Sequence, residues 1–425
     1  GGTCSLIDPA RRREFEALDA ADPLAPLRAR FALPGDRIYL DGNSLGVPAR
    51  AALEAVHRAA ATEWAGQLVD AWNGADWIGL PRRLGDRIGR LVGAAPGQTI
   101  VADSISVNLF KLLAVALELR PGRRTVLSVT ENFPTDLYVA EGLAGLLGPE
   151  RCRLRTVALE DLTPAALEQL LDDDVAVVML TQVDFRTGTL LDLEAFTAAV
   201  RARAALVLWD LAHSAGALPV ELDAAGADMA VGCGYKFLGG GPGAPAFVYL
   251  AERHQAAARQ PIAGWMGHAR PFAFEPAHVP APGIERFLAG TPPILACRAL
   301  EGALDVFDDV DLGRLREKSL ALGEALIDLV AGSEVAGELM LASPAEPARR
   351  GSQIAFRHPE AWPLTRALAA EGVIGDFRAP DLLRLGLAPL PLRYVDVFDA
   401  AVRIEDVLVS GRYRDPRFAA PARVT

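Results

Sequence analysis

Cysteine is scarce in this chain: four residues among 425, at Cys4, Cys152, Cys233 and Cys297, with no CxxC pair. That spacing excludes a disulfide framework and favours a reducing cytoplasm. Long basic blocks are missing too. With 43 Lys plus Arg against 54 Asp plus Glu the net charge is -11, so the expected partner is a small charged metabolite rather than nucleic acid. No stretch approaches the roughly 18 unbroken apolar residues of a membrane helix. Residues 1–6, Gly1-Gly2-Thr3-Cys4-Ser5-Leu6, lack a basic segment followed by a long apolar one, so no signal peptide is expected. No carboxylate or cysteine spacing completes a metal set around Met266, His268 and His278. The run Gly239-Gly240-Gly241-Pro242-Gly243 has neither the ending of a P-loop nor a helix after it, which leaves a close-approach turn.

What is present is apolar mass, 51% of the chain. At this length it implies two lobes rather than one growing core. Strand-length apolar runs at 124–129, 175–180, 205–209, 229–232 and 246–250 alternate with helical patterns at 109–119 and from Leu137, Pro164 and Leu193. That alternation predicts an α/β fold with a mostly parallel sheet covered on both faces. A helix is expected over 49–67, and helices over 296–310 and 312–330 lead to a smaller lobe with strands at 351–356, 373–377 and 382–386. The predicted division is 1–65, an N-terminal arm and helix packing on the small domain; 66–300, a large domain; and 301–425, a small C-terminal α/β domain.

The stretch from Leu206 to Leu250 carries the chemistry. One apolar run delivers Asp210 at its carboxyl end and His213 three residues on; the next delivers Tyr235 and Lys236. Ligands of parallel sheets sit outside the carboxyl ends of the strands, so an acid and an amine face one crevice. That pairing suits an amine condensing with an aldehyde cofactor while the acid holds the pyridinium nitrogen of pyridoxal phosphate. A helix cap at Asp210 and a solvated Lys236 are the plainer alternatives. Thr181, ending the strand 175–180, looks into the same crevice. Ser104 or Ser106 caps the helix that follows, or its first turn receives a phosphate. Phe133 stacks on a flat ring or packs in the core. Asn43 and Ser44 are turn residues or substrate contacts. Trp64, Trp72 and Trp77 form an aromatic slot or pack internally. Arg384, flanked by leucines, needs a planar carboxylate, either internal or from a ligand.

The strings Trp209-Asp210-Leu211-Ala212-His213-Ser214-Ala215-Gly216, Val231-Gly232-Cys233-Gly234-Tyr235-Lys236-Phe237-Leu238 and Phe133-Pro134-Thr135-Asp136 resemble the signature of the kynureninases, over about 39–391 of the chain. The resemblance implies the fold-type I architecture of pyridoxal phosphate enzymes, with a large domain built on a mostly parallel seven-stranded sheet. It implies hydrolytic Cβ-Cγ cleavage of L-kynurenine to anthranilate and L-alanine, a step of tryptophan catabolism and NAD biosynthesis. In that frame Lys236, Tyr235 and Asp136 are catalytic. Ile105, Ser106, Phe133, Asp136, Thr181, Asp210, His213, Tyr235 and Lys236 surround the pyridoxal phosphate. Trp265 and Thr291 complete the site from a neighbouring subunit, making a homodimer, while Arg384, Asn43, Ser44 and Trp72 bind substrate. Thr291 in place of the Asn of relatives that favour 3-hydroxykynurenine tilts the choice toward unsubstituted L-kynurenine. An aminotransferase, a cysteine desulfurase or a non-catalytic pyridoxal phosphate protein would share part of this set.

Overall fold

The computed structural model describes residues 7–420; Cys4 and the segment 1–6 read above for a signal peptide lie outside the described residues. In chain order the strands are β1 (Ile38–Tyr39), β2 (Thr99–Val101), β3 (Thr125–Val129), β4 (Arg153–Val157), β5 (Val175–Thr181), β6 (Leu206–Asp210), β7 (Met229–Gly232), β8 (Phe247–Leu250), β9 (Met340–Leu341), β10 (Gln353–Arg357), β11 (Val373–Ile374), β12 (Asp376–Arg378) and β13 (Leu382–Gly386). β2 to β8 form one seven-stranded sheet in the order β2-β8-β7-β6-β5-β3-β4. Only β8 opposes its neighbours; every other pair runs parallel.

The sequence explains why this sheet is central. In β5, Val175, Val178 and Leu180 enter one core, whereas Val177 and Met179 enter the core on the opposite face. A strand buried on both sides must read as an unbroken apolar run, as β5 and β6 do. Each fully buried aliphatic side chain stabilises the fold by roughly 1.5–3 kcal/mol. The chain crosses from β3 to β4 on one side and to β5 on the other, which opens a crevice beyond the strand ends.

Helix Leu312–Ala331 joins the lobes: Leu315 belongs to the large core, and Leu322, Leu326 and Leu329 to the small one. The small lobe carries an antiparallel sheet, β12-β13-β10-β9, backed by helices Ala361–Ala370 and Tyr394–Ser410. The described part of the predicted arm, residues 7–65, contributes to both cores. Phe15, Ile38 and Leu40 enter the core of the small lobe, but Val47, Ala49 and Ala52 join the large core. The reason is steric: helix Arg50–Arg58 lies so close to helix Ile294–Leu304 that a Cβ on Gly302 would meet the Ala51 carbonyl at 2.3 Å. The helix expected over 49–67 also widens into a π-type turn at Ala59–Trp64. There Glu63 turns inward to accept from Trp77 Nε1 at 2.8 Å and Arg298 Nε at 3.0 Å. Among the described residues no helix is long and apolar enough to cross a membrane.

One glycine ties the arm to the strand-end loops. The Gly46 N–H donates to the Tyr235 carbonyl at 2.8 Å, and an added Cβ would lie 2.2 Å from the Lys236 carbonyl oxygen and 2.9 Å from Gly239 Cα. Backbone cannot swing aside, so Gly46→Ala is expected to cost roughly 1–3 kcal/mol and to move the Lys236 loop. Urea unfolding checks this; an unchanged midpoint with unchanged turnover would show that the contact is slack.

Candidate active site

A cleft of about 310 Å³ opens at the carboxyl ends of β5, β6 and β7, within the usual range for a small-molecule site. Ile105, Ser106, Phe133, Asp136, Thr181, Asp210, His213, Tyr235 and Lys236 all line it. Nine residues separated by more than 120 positions in sequence converge because register aligns the strand ends: Thr181 lies opposite Asp210, and Asp210 opposite Val231.

At the floor two carboxyls face each other. Asp210 accepts from the Ala212 N–H at 2.8 Å, while neither oxygen of the fully buried Asp136 has a hydrogen-bond partner. Burial, followed by the charge of Asp210, holds the Asp136 carboxyl well above its usual range; burial also raises Asp210. Two adjoining acids in this environment do not both ionise, so one of them keeps its proton. Their folded values exceed the unfolded ones, so their contribution to stability is complete below the unfolded range and is lost as pH rises through the raised values. In cofactor-free protein, Asp136→Asn is therefore expected to raise Tm by more at pH 8 than at pH 5. Equal shifts at both pH values, read by calorimetry, would remove the acid pair from the account.

The amine sits at mid-cleft. Lys236 Nζ is 3.2 Å from His213 Nε2 and 5.9 Å from the centroid of Phe133. Burial first, then the cations of Lys236, Arg384 and Arg378, push His213 well below its usual value. Its imidazole is held neutral, within hydrogen-bond distance of Lys236. Burial, then the neighbouring Cys233 and Asp210, raise the Tyr235 phenol, which keeps its proton.

At the third corner the helix Ile105–Leu119 begins. Ser104 is the cap, its Oγ accepting from the Val107 N–H at 3.3 Å, so Ile105 and Ser106 are left in the first turn beside the cleft. Unpaired N–H groups there favour an anion. Asp103, ahead of the cap, holds a positive φ of 46° and is gripped by the buried Lys111 at 2.5 Å.

Arg384 is placed by β13 and is buried, 1% exposed. Its Nε donates to Asp376 Oδ1 at 2.7 Å, its Nη2 to the other Asp376 oxygen, and its Nη1 to the Phe185 carbonyl at 2.6 Å. The internal ion pair read as an alternative is thus present, and Phe185 lines the cleft. Asn43 is buried and donates to Gln353 at 3.1 Å rather than lining the cleft, while Ser44 stays half-buried in its turn.

Trp72, Trp265 and Thr291 are not brought to the cleft of their own chain. Trp72 and Trp265, 6.2 Å apart, join Trp77, Phe272 and Phe274 in an aromatic cluster whose last two rings are largely exposed. Thr291 lies exposed in the loop before helix Ile294–Leu304. Sequence reasoning missed Phe185, Asp376, Arg378 and Asp41. Phe185 was quoted only as loop, and the acids became legible once β12 and β13 paired Asp376 with Arg384 in register. The described cysteines are free and buried; burial raises the Cys233 thiol and pushes Cys297 up to about 12. Cys233 lies just past β7 and lines the cleft, whereas Cys297 lies within helix Ile294–Leu304.

The kynureninase C-terminal domain model matches residues 315–404. The kynureninase of Burkholderia pseudomallei is 50% identical over 418 residues, covering 97% of this chain and 99% of the relative. That of Deinococcus radiodurans is 51% identical over 409 residues, covering 95% and 98%. Among solved structures, a C-DES mutant with glycine covalently linked to the PLP-cofactor superposes with a TM-score of 0.76 at 17% identity, covering 89% of this chain and 99% of the other. A cysteine desulfurase from Thermococcus onnurineus NA1 superposes at 0.77 with 16% identity, covering 91% and 98%. At such low identity these two establish the architecture alone, which is that of the fold-type I pyridoxal phosphate enzymes. Identity of one half along nearly the entire length carries further: the chain belongs to the kynureninase family.

Proposed function

We infer that this protein is a pyridoxal 5'-phosphate enzyme that cleaves L-kynurenine by water across Cβ-Cγ, giving anthranilate and L-alanine. The observation that carries this is full-length identity of about half with kynureninases, in a chain whose cleft holds an amine, an acid pair and an anion-binding helix end.

The residues fit the cofactor. The Asp210 carboxylate, buried at the cleft floor beside Asp136, would hold a protonated ring nitrogen. The first turn at Ile105 and Ser106 suits the phosphate, and Phe133 offers a ring face at the cleft wall. When bound, pyridoxal phosphate supplies an electron sink for charge developing on the substrate carbons.

Lys236 would hold the cofactor's aldehyde and, when freed, would carry the Cα proton of the substrate. Neutral His213, 3.2 Å away, lies within hydrogen-bond distance of Lys236 and keeps it aimed; His213 or Asp136 orients the water that adds to the γ-carbonyl. The Cβ-Cγ bond then breaks, anthranilate leaves with the carboxyl, and Tyr235, still protonated, donates to Cβ. Arg384 receives the α-carboxylate, with Asn43 and Ser44 shaping that side. The exposed aromatic cluster at Trp265 and Phe274 supports a homodimer in which Trp265, Thr291 and Trp72 serve the partner's cleft. Free buried cysteines suit a cytoplasmic setting.

Holoenzyme mixed with L-kynurenine should develop anthranilate fluorescence. Sulfide release from cysteine without anthranilate would assign a desulfurase instead. Tyr235→Phe is expected to lower turnover about 10²-fold with little change in KM; unchanged turnover removes the phenol as donor.

A further inference from the structure

The helix whose first turn borders the cleft carries a buried lysine that the reaction does not use. Lys111 lies on helix Ile105–Leu119 and is 0% exposed. Its Nζ donates to Asp103 Oδ2 at 2.5 Å and to the Phe287 carbonyl at 2.6 Å. Asp103 precedes the cap residue Ser104, lines the cleft and leaves 33% of its side chain exposed. The backbone around it has ties of its own. The Asp103 carbonyl accepts from the Ala246 N–H at 2.9 Å, and the Asn108 amide donates to the Ala102 carbonyl at 2.8 Å. The turn therefore keeps its path without the lysine, and what the lysine governs is the carboxylate.

A carboxylate just ahead of a helix is itself a suitable anion for the free N–H groups of the first turn. Asp103 and a phosphate thus compete for one place. Like charge sharpens the competition, because a phosphate ester of charge about -2 is repelled by an ionised neighbour. The Lys111 ammonium answers both effects: it engages an oxygen of Asp103 and offsets its charge. Lys236 is the lysine that lines the cleft itself, so Lys111 acts from behind the wall and through Asp103.

We propose that Lys111 is a positioning residue for the cofactor: by holding and neutralising the Asp103 carboxylate, it leaves the first turn of helix Ile105–Leu119 to the phosphate. This role rests on that turn being the phosphate site. Burial lowers the Lys111 amine, and the hydrogen bond and charge of Asp103 oppose the fall, so a buried ammonium is kept by the same carboxylate that it restrains. The consequence is selective. Contacts to the cofactor ring at Phe133 and Asp210 do not pass through Lys111, so its removal is felt by the phosphate alone.

The test is calorimetric binding of 4-deoxypyridoxine 5'-phosphate and of 4-deoxypyridoxine to the full-length, cofactor-free protein. Both lack the aldehyde, so Lys236 tethers neither, and the two differ by the phosphate alone. The wild type is expected to prefer the phosphate ester. Lys111→Met should lose about tenfold in affinity for the ester and nothing for the alcohol. Asp103→Asn keeps a residue that tolerates positive φ and should bind the ester at least as tightly as the wild type. Lys111→Met/Asp103→Asn, with no carboxylate left to compete, should return close to the wild-type preference. A residue that only holds the fold behaves otherwise: Lys111→Met then weakens both ligands alike, and Asp103→Asn weakens the ester. Either result overturns the proposal, as does a Lys111→Met protein with the wild-type preference. Should Lys111→Met fail to fold, Asp103→Asn and the double variant decide: a weakened ester in either overturns the role of Lys111. A wild type that binds the two ligands alike removes the phosphate site itself, a failure distinct from all of these.

Discussion

Lys236→Ala is expected to fold normally and to form anthranilate from L-kynurenine about 10⁴-fold more slowly than the wild type. The side chain is half-buried at the edge of the cleft, so truncation leaves no core cavity. What it removes is chemical. Lys236 is the amine beside both His213 and Phe133, and among the lysines of this chain it is the one that lines the cleft. Without it the aldehyde loses its covalent tether and the Cα proton loses its carrier. Neutral His213 is too far down in basicity to take over, because burial and the remaining cations, Arg384 and Arg378, still hold it unprotonated. Borohydride reduction of the holoenzyme, followed by peptide mapping, should mark Lys236. A label on Lys111 or elsewhere, or substantial turnover by Lys236→Ala, would end the assignment.

Much of this was legible in the sequence where local pattern and tertiary structure agree. The runs ending at Asp210 and before Tyr235 are strands because they are apolar at every position, and such strands must be buried on both faces. Their chemistry followed from their ends. The same logic put Thr181 in the crevice with Asp210, and the parallel register sets the two opposite each other. What pattern could not reach was set by contacts between distant segments. Nothing around Glu63 announces a wide turn; the cause is Arg298 and Trp77, which claim its carboxylate. Nor does the leucine-flanked Arg384 disclose its partner, since Asp376 becomes its neighbour only through antiparallel register. The described part of the arm, residues 7–65, was divided between the two cores by the close approach at Gly302. Trp265 and Thr291 were named by family likeness, and one chain does not bring them to its own cleft.

Removing the charge of Asp210 should cost nearly as much as removing the amine. Asp210→Asn is expected to lower kcat about 10³-fold, roughly 4 kcal/mol, while the cofactor stays attached through Lys236 and the helix end at Ser106. The two acids at the cleft floor are not equivalent. Asp210 is fixed by its strand and by the Ala212 N–H at 2.8 Å, and that bond opposes the rise that burial imposes on it. Asp136 has no such donor and carries the more strongly raised value. The shared proton is therefore assigned to Asp136, which leaves Asp210 as the anion proposed to face a ring nitrogen. Asparagine at Asp210 retains the bond to Ala212 and the packing but supplies no charge, which separates electrostatics from folding. Asp136→Asn, replacing a neutral acid by a neutral amide, should cost tenfold or less, about 1.4 kcal/mol. If the two variants exchange these effects, so that Asp136→Asn is the crippled enzyme, the proton sits on Asp210 and the roles at the floor of the cleft are reversed.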